Sequence, residues 1–455
     1  MFRVLIMASV VISHNFKRTC DIFRREFLVR FSTNSFYESL GSPKHVCAPM
    51  VDQSELAFRL LVRQNGADLC YSQMLHSKNF ASISKYRRET IDWLDYSHTK
   101  GDKSAEERAR LLDRPLIAQL AGHDIEFLLK AGSFIQRDVS AIDLNLGCPQ
   151  NIAKKGNYGA YLLQNTDLVL SILSKMAEKL SCPITAKIRL FHSLEDSIKL
   201  CRNMENVGVR MITVHGRTLD QSKLFVGSAN WEAIKAIKNA VSIPVIANGG
   251  ISCLEDVKSC FEATGCDAVM SSEALLENPK LFSPLGDYNF RNKYVTSQLE
   301  TVDQYLDILN SFPAPRPVLP VVRGHMFRFL FRFLDAPNGL DLRERMQYAS
   351  VDDMSRIVDE IKTRLLPTYE DDQEAVAAGL LSSRTWYGRH RGEEEQARIH
   401  SRRRAFSKIR GPPKLARTEG MTSSEETEAT LATRLEELKA RLLEKRRTSA
   451  SIMSE

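Results

Sequence analysis

Hydrophobic and polar positions alternate in a repeating order along residues 45–280. Eight short apolar runs are separated by polar segments that are long enough for helices. The runs are HVCAPMV (45–51), LCYSQM (69–74), PLIAQLAG (115–122), AIDLNLGCP (141–149), PITAKIRL (183–190), MITVHGRT (211–218), PVIANGG (244–250) and AVMSSEAL (268–275). Repeated strand-helix units of this kind predict a parallel sheet and an α/β fold.

The number and length of these units favour a closed barrel. Eight parallel strands within roughly 240 residues match a (β/α)8 TIM barrel. The third, fifth and seventh runs also begin in the same way, at Pro115, Pro183 and Pro244. The competing architecture is an open, doubly wound sheet, but no GxGxxG segment follows any run. We therefore predict a TIM barrel over residues 36–290.

The pattern changes to helical spacing after the barrel. Residues 297–312 and 352–366 have helical periodicity and flank the stretch VVRGHMFRFLFRFLD at 321–335. These segments predict a small all-helical domain over residues 291–366.

Four basic side chains lie within the stretch 321–335. Arg328 and Arg332 are four residues apart and would share one helix face, with Arg323 and His325 one turn earlier. Two interpretations remain open. The stretch is an amphipathic helix that buries its four phenylalanines and solvates its arginines, or its arginines face a nucleic acid.

Both ends of the chain are compositionally distinct from the barrel. Residues 1–35 contain six basic residues and two acidic ones, which is typical either of a mitochondrial presequence or of an unstructured or mis-started N-terminus. Residues 367–455 are charged and poor in apolar residues, which predicts disorder. The basic block 402–417 within this region is a candidate segment for RNA binding or for nuclear import, or it is merely a solvated run of charges. Leucines at 431, 435, 438 and 442 predict a short terminal helix.

Composition and charge bound the class of protein. The 455 residues are 43% hydrophobic and 26% charged, so the chain can bury a large core. A formal net charge of +7 permits a nucleic-acid partner without requiring one. The nine cysteines form no CxxC pair or zinc-like cluster, so we expect no disulfide framework, no metal and a reducing compartment. No apolar run is long enough to span a bilayer. We expect a monomer in the cytoplasm, with the nucleus or the mitochondrion as alternative locations.

Polar side chains recur where the predicted strands end. In TIM barrels the active site lies at the carboxyl ends of the strands, so these positions are candidates for function. They are Met50, Met74, Gln119, Asn145, Cys148, Lys187, Arg189, His215 and Asn248.

Cys148 is the strongest candidate for chemistry. A thiol with an ordinary pKa of about 8.5 is mostly protonated near neutral pH and can donate a proton as a general acid. Pro149 follows it at once, and a segment containing Gly156 and Gly159 comes next. The alternative is that Cys148 is a core residue, as most cysteines in strands are.

Further polar residues near the later strands predict an anionic ligand. Lys187 and Arg189 share one face of the fifth strand, and a buried lysine is costly unless it meets an anion or an electron-rich ring. His215 can donate a hydrogen bond to the same ligand. ANGG (247–250) and SSE (271–273) end strands seven and eight, where TIM barrels commonly bind phosphate. Together these residues predict a phosphorylated cofactor across the barrel mouth.

Five segments resemble, in order, the motifs of the tRNA-dihydrouridine synthases. They are APMVDQSELAFR (48–59), LNLGCPQNIAKKGNYGA (144–160), AKIR (186–189), TVHGRT (213–218) and ANGG (247–250). The resemblance covers about residues 36–335. MVDQSEL, CPQNIAKKG and VRGHMFRF are most similar to the eukaryotic branch that modifies nucleotides 16 and 17 of the tRNA D loop.

The resemblance implies an FMN-dependent, NADPH-driven reduction of the uracil C5–C6 double bond in tRNA. Cys148 would protonate C5 while the flavin delivers hydride to C6. The residues that would contact FMN are Pro49, Met50, Val51, Gln119, Lys187, His215, Asn248, Gly249 and Gly250, with Ser272 and Glu273 at its phosphate. Asn145 and Arg189 would face the uracil, and Arg323, Arg328 and Arg332 would bind tRNA.

The chain departs from the family pattern in two of its motifs. Gly250 stands where relatives commonly carry Asp or Asn, and Ser272, Glu273 and Ala274 stand where this branch usually has Ala-Glu-Gly. Two other functions remain open, the second of them because of these departures. One is an FMN barrel that acts on a small pyrimidine, and the other is a tRNA-binding protein without catalysis.

Overall fold

A computed structural model describes residues 36–91, 103–221, 227–283, 294–313, 318–364 and 372–382. The possible presequence, the basic block and the terminal leucines all lie outside these ranges, so those interpretations stay predictions. Among the described residues, no helix combines the length and apolar character needed to cross a bilayer.

Eight parallel strands close into a barrel in sequence order, with the eighth paired to the first. The (β/α)8 prediction is therefore confirmed. The strands are β1 (His45–Cys47), β2 (Leu69–His76), β3 (Leu116–Ala121), β4 (Ala141–Leu146), β5 (Ile184–Arg189), β6 (Ile212–His215), β7 (Val245–Asn248) and β8 (Ala268–Ser271). Most predicted runs continue past the end of their strand, because the last residues of the run turn into the loops at the barrel mouth.

Helices surround the barrel and form the all-helical region after it. Those within the barrel are α1 (Leu56–Gln64), α2 (Ser77–Ser82), α3 (Ser84–Ile91), α4 (Lys103–Leu112), α5 (Ile125–Ile135), α6 (Asn151–Lys155), α7 (Thr166–Lys179), α8 (Leu194–Asn206), α9 (Trp231–Ala240), α10 (Leu254–Thr264) and α11 (Glu273–Glu277). Those after it are α12 (Tyr294–Ser311), α13 (Leu319–Phe329), α14 (Phe331–Leu334), α15 (Leu340–Met346), α16 (Val351–Arg364) and α17 (Asp372–Ala377). Short 3-10 helices occupy Gly159–Gln164 and Pro337–Gly339.

The core has two main layers because strand side chains alternate between the two faces of the sheet. One layer lies between the strands and the surrounding helices and continues into the helical region. The other fills the barrel interior and includes Tyr71, Met211 and Met270. Phe36 and Tyr37 join this inner layer and precede β1. The barrel is thus filled with side chains, which leaves its carboxyl mouth for binding.

The stretch 321–335 differs from its prediction. A break at Leu330 separates α13 from α14, so Arg328 and Arg332 do not share one continuous helix. Arg332 is buried, and its Nε donates to the Ser382 carbonyl at 2.8 Å. His325 is also buried, and its Nε2 lies 2.9 Å from Glu55 Oε2. The local pattern could not reveal these distant partners.

Glu55 links the barrel to the helical region. Its carboxylate accepts from the Tyr305 hydroxyl at 2.7 Å as well as contacting His325. Burial acts to raise the pKa of Glu55, but His325 and Tyr305 outweigh that effect and the net pKa is lowered. The carboxylate is therefore held ionised at the junction.

Residues 372–382 are ordered, although they lie within the region 367–455 where the composition predicted disorder. Helix α17 is followed by Leu381, which is buried in the core. The Ser382 hydroxyl donates to Asp335 Oδ2 at 2.9 Å. A few apolar side chains and these hydrogen bonds suffice to hold residues 372–382 against the helical region.

Candidate active site

The strand ends of the barrel border a cavity of about 560 Å³. Most of the cofactor residues predicted at the later strands line it. These are His215, Asn248, Gly249, Gly250, Ser272 and Glu273, and Arg189 joins them. Ile251, Met270 and Ala274 contribute apolar surface to the same wall. The cavity therefore combines polar groups with a surface suited to a flat ring.

Cys148 lies beside this cavity, two residues beyond the end of β4. Its backbone N–H donates to Asn145 Oδ1 at 3.0 Å, and Pro149, the next residue, lines the cavity. Gly159 packs against it so closely that an added Cβ would lie 2.9 Å from the Cys148 Cβ, with a φ of +65° that favours glycine. The backbone of Cys148 is thus fixed in place, and its thiol is half-buried.

A chain of hydrogen bonds fixes Asn145. Its Nδ2 donates to Gln119 Oε1 at 2.7 Å, and Gln119 Nε2 donates to Asp143 Oδ2 at 2.8 Å. Thr185 donates to the other oxygen of Asp143 at 2.7 Å. Each side-chain amide in this series of hydrogen bonds has only one orientation that satisfies both of its neighbours. Asp143 therefore determines the orientation of the Asn145 amide, whose oxygen accepts from the Cys148 backbone N–H.

Lys187 lies next to Asn248 at the barrel mouth. Its Nζ donates to Asn248 Oδ1 at 2.8 Å, and Asn248 Nδ2 donates to the Met270 carbonyl at 3.0 Å. Burial, and then the neighbouring Arg189, lower the pKa of Lys187 to about 8. The cost of burying the Lys187 ammonium group is therefore only partly offset by its hydrogen bond to Asn248. An electron-rich or anionic ligand would stabilise this charge further.

Arg189 and Arg217 add two buried guanidinium groups. Arg189 donates to the carbonyls of Gly147 at 2.8 Å and Thr218 at 2.9 Å. Arg217 lines the cavity, and its Nη1 lies 3.1 Å from His215 Nε2. Burial, and then Arg217, lower the pKa of Arg189 to about 10. The cavity wall is consequently electropositive.

The two departures from the family pattern are compatible with the observed backbone. Gly250 has a φ of +81°, in the left-handed region that glycine adopts freely and that Asn and Asp tolerate better than other residues. Ala274 lies within α11, where alanine is at least as suitable as glycine.

Other predicted residues lie outside the lining of this cavity. Pro49, Met50 and Val51 follow β1, which lies beside β8, and Val51 is half exposed. Arg323 donates to the Ala349 carbonyl at 3.3 Å, and Arg328 donates to the Gly324 carbonyl at 2.7 Å. The structure therefore gathers the later strand ends into one site and leaves the arginines of the helical region on a separate element.

The match to known families decides the identity. The model of the dihydrouridine synthase (Dus) family matches residues 46–347. The chain belongs to the dihydrouridine synthase family. It is therefore an oxidoreductase of that family.

Three relatives of this dihydrouridine synthase cover most of its length. A rat protein named tRNA-dihydrouridine(16/17) synthase (NAD(P)(+))-like is 40% identical over 339 residues, which are 74% of this chain and 71% of the relative. The tRNA-dihydrouridine(16/17) synthase of Saccharomyces cerevisiae is 36% identical, over 70% of this chain and 72% of the relative. A mouse tRNA-dihydrouridine(20a/20b) synthase-like protein is 37% identical over 53% of this chain and 70% of its own.

The structure also identifies two residues of this dihydrouridine synthase that the sequence analysis missed. Asp143 points to the same side of β4 as Asn145, so the two-residue alternation could have revealed it. Arg217 follows His215 by two residues within the quoted segment TVHGRT. Its role was hidden because its contact with His215 depends on the loop after β6.

Asp143→Asn should lower the enzyme's kcat by about tenfold to a hundredfold, since small displacements of reacting groups have effects of this size. The new amide cannot accept from Gln119 and Thr185 at once. Burial raises the pKa of Asp143 to about 6, although the bonds from Gln119 and Thr185 act to lower it. Activity of the unaltered enzyme should therefore fall as pH drops through about 6, and the variant should lack this limb.

Single-turnover dihydrouridine formation between pH 5 and 8, with flavin absorbance as a loading check, measures both effects. Thr185→Val is the matched control, because it removes one donor to Asp143 and leaves the Gln119–Asn145 bond intact. The kcat of Thr185→Val should fall much less than that of Asp143→Asn. Equal activity of Asp143→Asn and the unaltered enzyme across this range would contradict the positioning role.

Proposed function

We propose that the enzyme reduces uridine to 5,6-dihydrouridine at position 16 or 17 of the tRNA D loop, with bound FMN and with NADPH as reductant. The observation that carries this proposal is the half-buried thiol of Cys148, whose backbone N–H is held by Asn145 beside an electropositive cavity. The higher coverage of the 16/17 relatives, compared with the 20a/20b relative, supports the choice of position. In this proposal the protein acts as a cytoplasmic monomer.

The residues of the cavity fit FMN. An added Cβ on Gly249 would lie 2.9 Å from the His215 ring, so only a glycine lets the backbone pass this close to the wall. Residues 249–251 and 272–274 line the cavity at the β7 and β8 ends, where barrels commonly bind phosphate through backbone amides. Lys187 and His215 would contact the ring system, and Ser272 with the Glu273 amide would hold the phosphate. Reduced FMN supplies the hydride that adds to C6 of the uracil.

Cys148 supplies the proton that completes the reduction. Burial raises the pKa of the Cys148 thiol, although the Gln150 backbone N–H and Arg189 act to lower it. The thiol therefore stays protonated at neutral pH. As the C5–C6 double bond opens, C5 takes the Cys148 proton and the sulfur keeps the bonding electron pair. Water then returns a proton to the thiolate.

The same neighbours that lower the pKa of Cys148 stabilise its thiolate after the transfer. The Gln150 N–H and the positive charges of Arg189 and Lys187 are already in place, so little reorganisation is needed. Asn145 accepts from the Cys148 backbone N–H, Arg189 acts on the thiol through its charge, and both would orient the uracil edge. The residues thus divide between holding the base and moving its proton.

The target base must leave its stack to reach the cavity. Turning a nucleotide out costs a few kcal/mol, which contacts to the rest of the tRNA must offset. Lys154 and Lys155 are exposed on α6, directly beside the cavity, and can pair with phosphates. Arg323 and Arg328 are partly exposed on α13 and offer a second contact, whereas Arg332 is buried. Binding should therefore weaken as salt increases.

The proposal is tested by mass spectrometry of D-loop fragments from cells lacking the gene. Dihydrouridine should disappear at position 16 or 17 and return when the purified, flavin-loaded enzyme and NADPH act on that tRNA. Free uridine without tRNA is the control substrate and should not be reduced. Turnover of free pyrimidine with no effect of tRNA would instead identify a small-molecule reductase, and a colourless protein that binds tRNA would contradict catalysis.

A further inference from the structure

A second cavity, of about 320 Å³, opens on the same rim of the barrel. It is bordered by the end of β2, by the loop after β3 and by Gly156. Helix α6 separates it from the larger cavity, since Asn151 and Ile152 at the start of α6 line the larger one and Gly156 directly follows its end. Five helical residues span only about 8 Å. Adjacent nucleotides of one RNA strand could therefore reach both cavities.

Two imidazoles in this cavity offer complementary hydrogen-bonding groups. His76 Nδ1 accepts from the Asn79 backbone N–H at 3.5 Å, which leaves its Nε2 as the protonated donor in the neutral ring. His123 Nδ1 lies 3.1 Å from the Gly156 carbonyl and so carries the proton, which leaves its Nε2 as an acceptor. Burial, then Lys78 and His123, lower the pKa of His76 and favour the neutral ring. One donor and one acceptor match the edge of a nucleobase, whereas phosphate requires donors alone.

An aromatic ring and a cation complete the cavity. Phe127 is half-buried on α5 and presents a ring on which a base can stack. The Lys78 ammonium lies 5.8 Å from the centre of this ring and is exposed. It is free to turn from the ring to a phosphate when a base arrives. The volume lies near the lower end of the range of about 300–1,000 Å³ for ligand sites, which suits one nucleotide.

We propose that this second cavity, lined by His76, Lys78, His123 and Phe127, binds a nucleotide of the same tRNA that neighbours the target uridine. The base stacks on Phe127, its edge contacts the two histidines, and its phosphate pairs with Lys78. This inference rests on the proposed function. The adenosine of NADPH has the same chemistry and is the competing occupant, which the experiment distinguishes.

The test combines protein and tRNA changes. In separate tRNAs, the nucleotide on each side of the target uridine is made abasic, and kcat/KM is measured for the full-length, flavin-loaded enzyme and for His123→Ala and Phe127→Leu. The unaltered enzyme should lose about tenfold on one abasic tRNA, in the range expected for one stacked base. The kcat/KM of each protein variant should fall by a similar factor on intact tRNA. It should fall little further on that abasic tRNA, because the protein change and the tRNA change remove the same contact.

Phe134→Leu is the matched control, since Phe134 is an exposed phenylalanine on the same helix that does not line the cavity. His123 is exposed, so His123→Ala keeps the test valid if Phe127→Leu folds poorly. If the protein variant and the abasic tRNA lower kcat/KM independently, so that their factors multiply when they are combined, the proposal is overturned. Unchanged tRNA kinetics with slower flavin reduction by NADPH would also overturn it and would assign the cavity to the reductant. If the unaltered enzyme forms no dihydrouridine on intact tRNA, the proposed function fails and this subsite fails with it.

Discussion

Cys148→Ala should lower kcat for dihydrouridine formation by about 10²–10⁴-fold, the contribution expected of a positioned general acid. The variant keeps Asn145, Lys187 and Asn248, so its flavin content and its affinity for tRNA should not change. Flavin reduction by NADPH should proceed at the normal rate, because that step needs no proton from the thiol. The defect should therefore be confined to the step that reduces the uracil.

Single-turnover kinetics with pre-reduced enzyme isolates that step, and the flavin absorbance reports loading. Cys182→Ala is the matched control, because Cys182 is also half-buried but precedes β5 at the opposite end of the barrel. It should retain full activity. Undiminished dihydrouridine formation by flavin-loaded Cys148→Ala would show that another group protonates C5.

Asp113→Ala should reduce the free energy of unfolding by about 3–5 kcal/mol, because it leaves a buried guanidinium without its counter-charge. Arg59 and Asp113 are both fully buried. Arg59 Nη2 donates to Asp113 Oδ2 at 2.6 Å, and its Nε donates to the same oxygen at 3.0 Å. Arg59 Nη1 donates to the Ser54 carbonyl at 2.6 Å, so the ion pair also fixes the loop after β1. Arginine cannot lose its proton to relieve the cost.

Urea unfolding at neutral pH measures this loss. Asp138→Ala is the control, because it removes a partly exposed ion pair with Arg110 and should change stability by no more than about 1 kcal/mol. The double variant Arg59→Met/Asp113→Leu should recover part of the loss, since it removes the fully buried guanidinium together with its carboxylate, while Arg63, which also pairs with Asp113 at 3.4 Å, keeps its bonds to the Asp113 and Pro115 carbonyls. A loss below about 1 kcal/mol in Asp113→Ala would mean that water reaches Arg59.

Local periodicity predicted the positions of all eight strands. The predicted runs differ from the observed strands mainly at their carboxyl ends, where hydrophobic character continues into loops such as the one that carries Cys148. The sequence indicates which residues are apolar, but it does not indicate where backbone pairing with the neighbouring strand stops. The candidate site at the later strand ends was predictable for the same reason, because parallel strands bring their ends together.

The helical region shows where local reasoning was insufficient. A continuous apolar and basic pattern predicted one helix face shared by Arg328 and Arg332. Instead, Arg332 is buried against Ser382, fifty residues further along the chain. His325 is buried against Glu55, which lies 270 residues earlier. Such partners depend on which elements meet in space.

The sequence by itself determined the (β/α)8 architecture, the order of the strands and the thiol at the end of the fourth, because alternation and spacing are local properties of the chain. Only the tertiary structure revealed that Asp143 orients Cys148 through Gln119 and Asn145, and that a second cavity lies beyond α6. These features join side chains from different strands and loops. Their hydrogen bonds exist only once the barrel has closed and brought these side chains together.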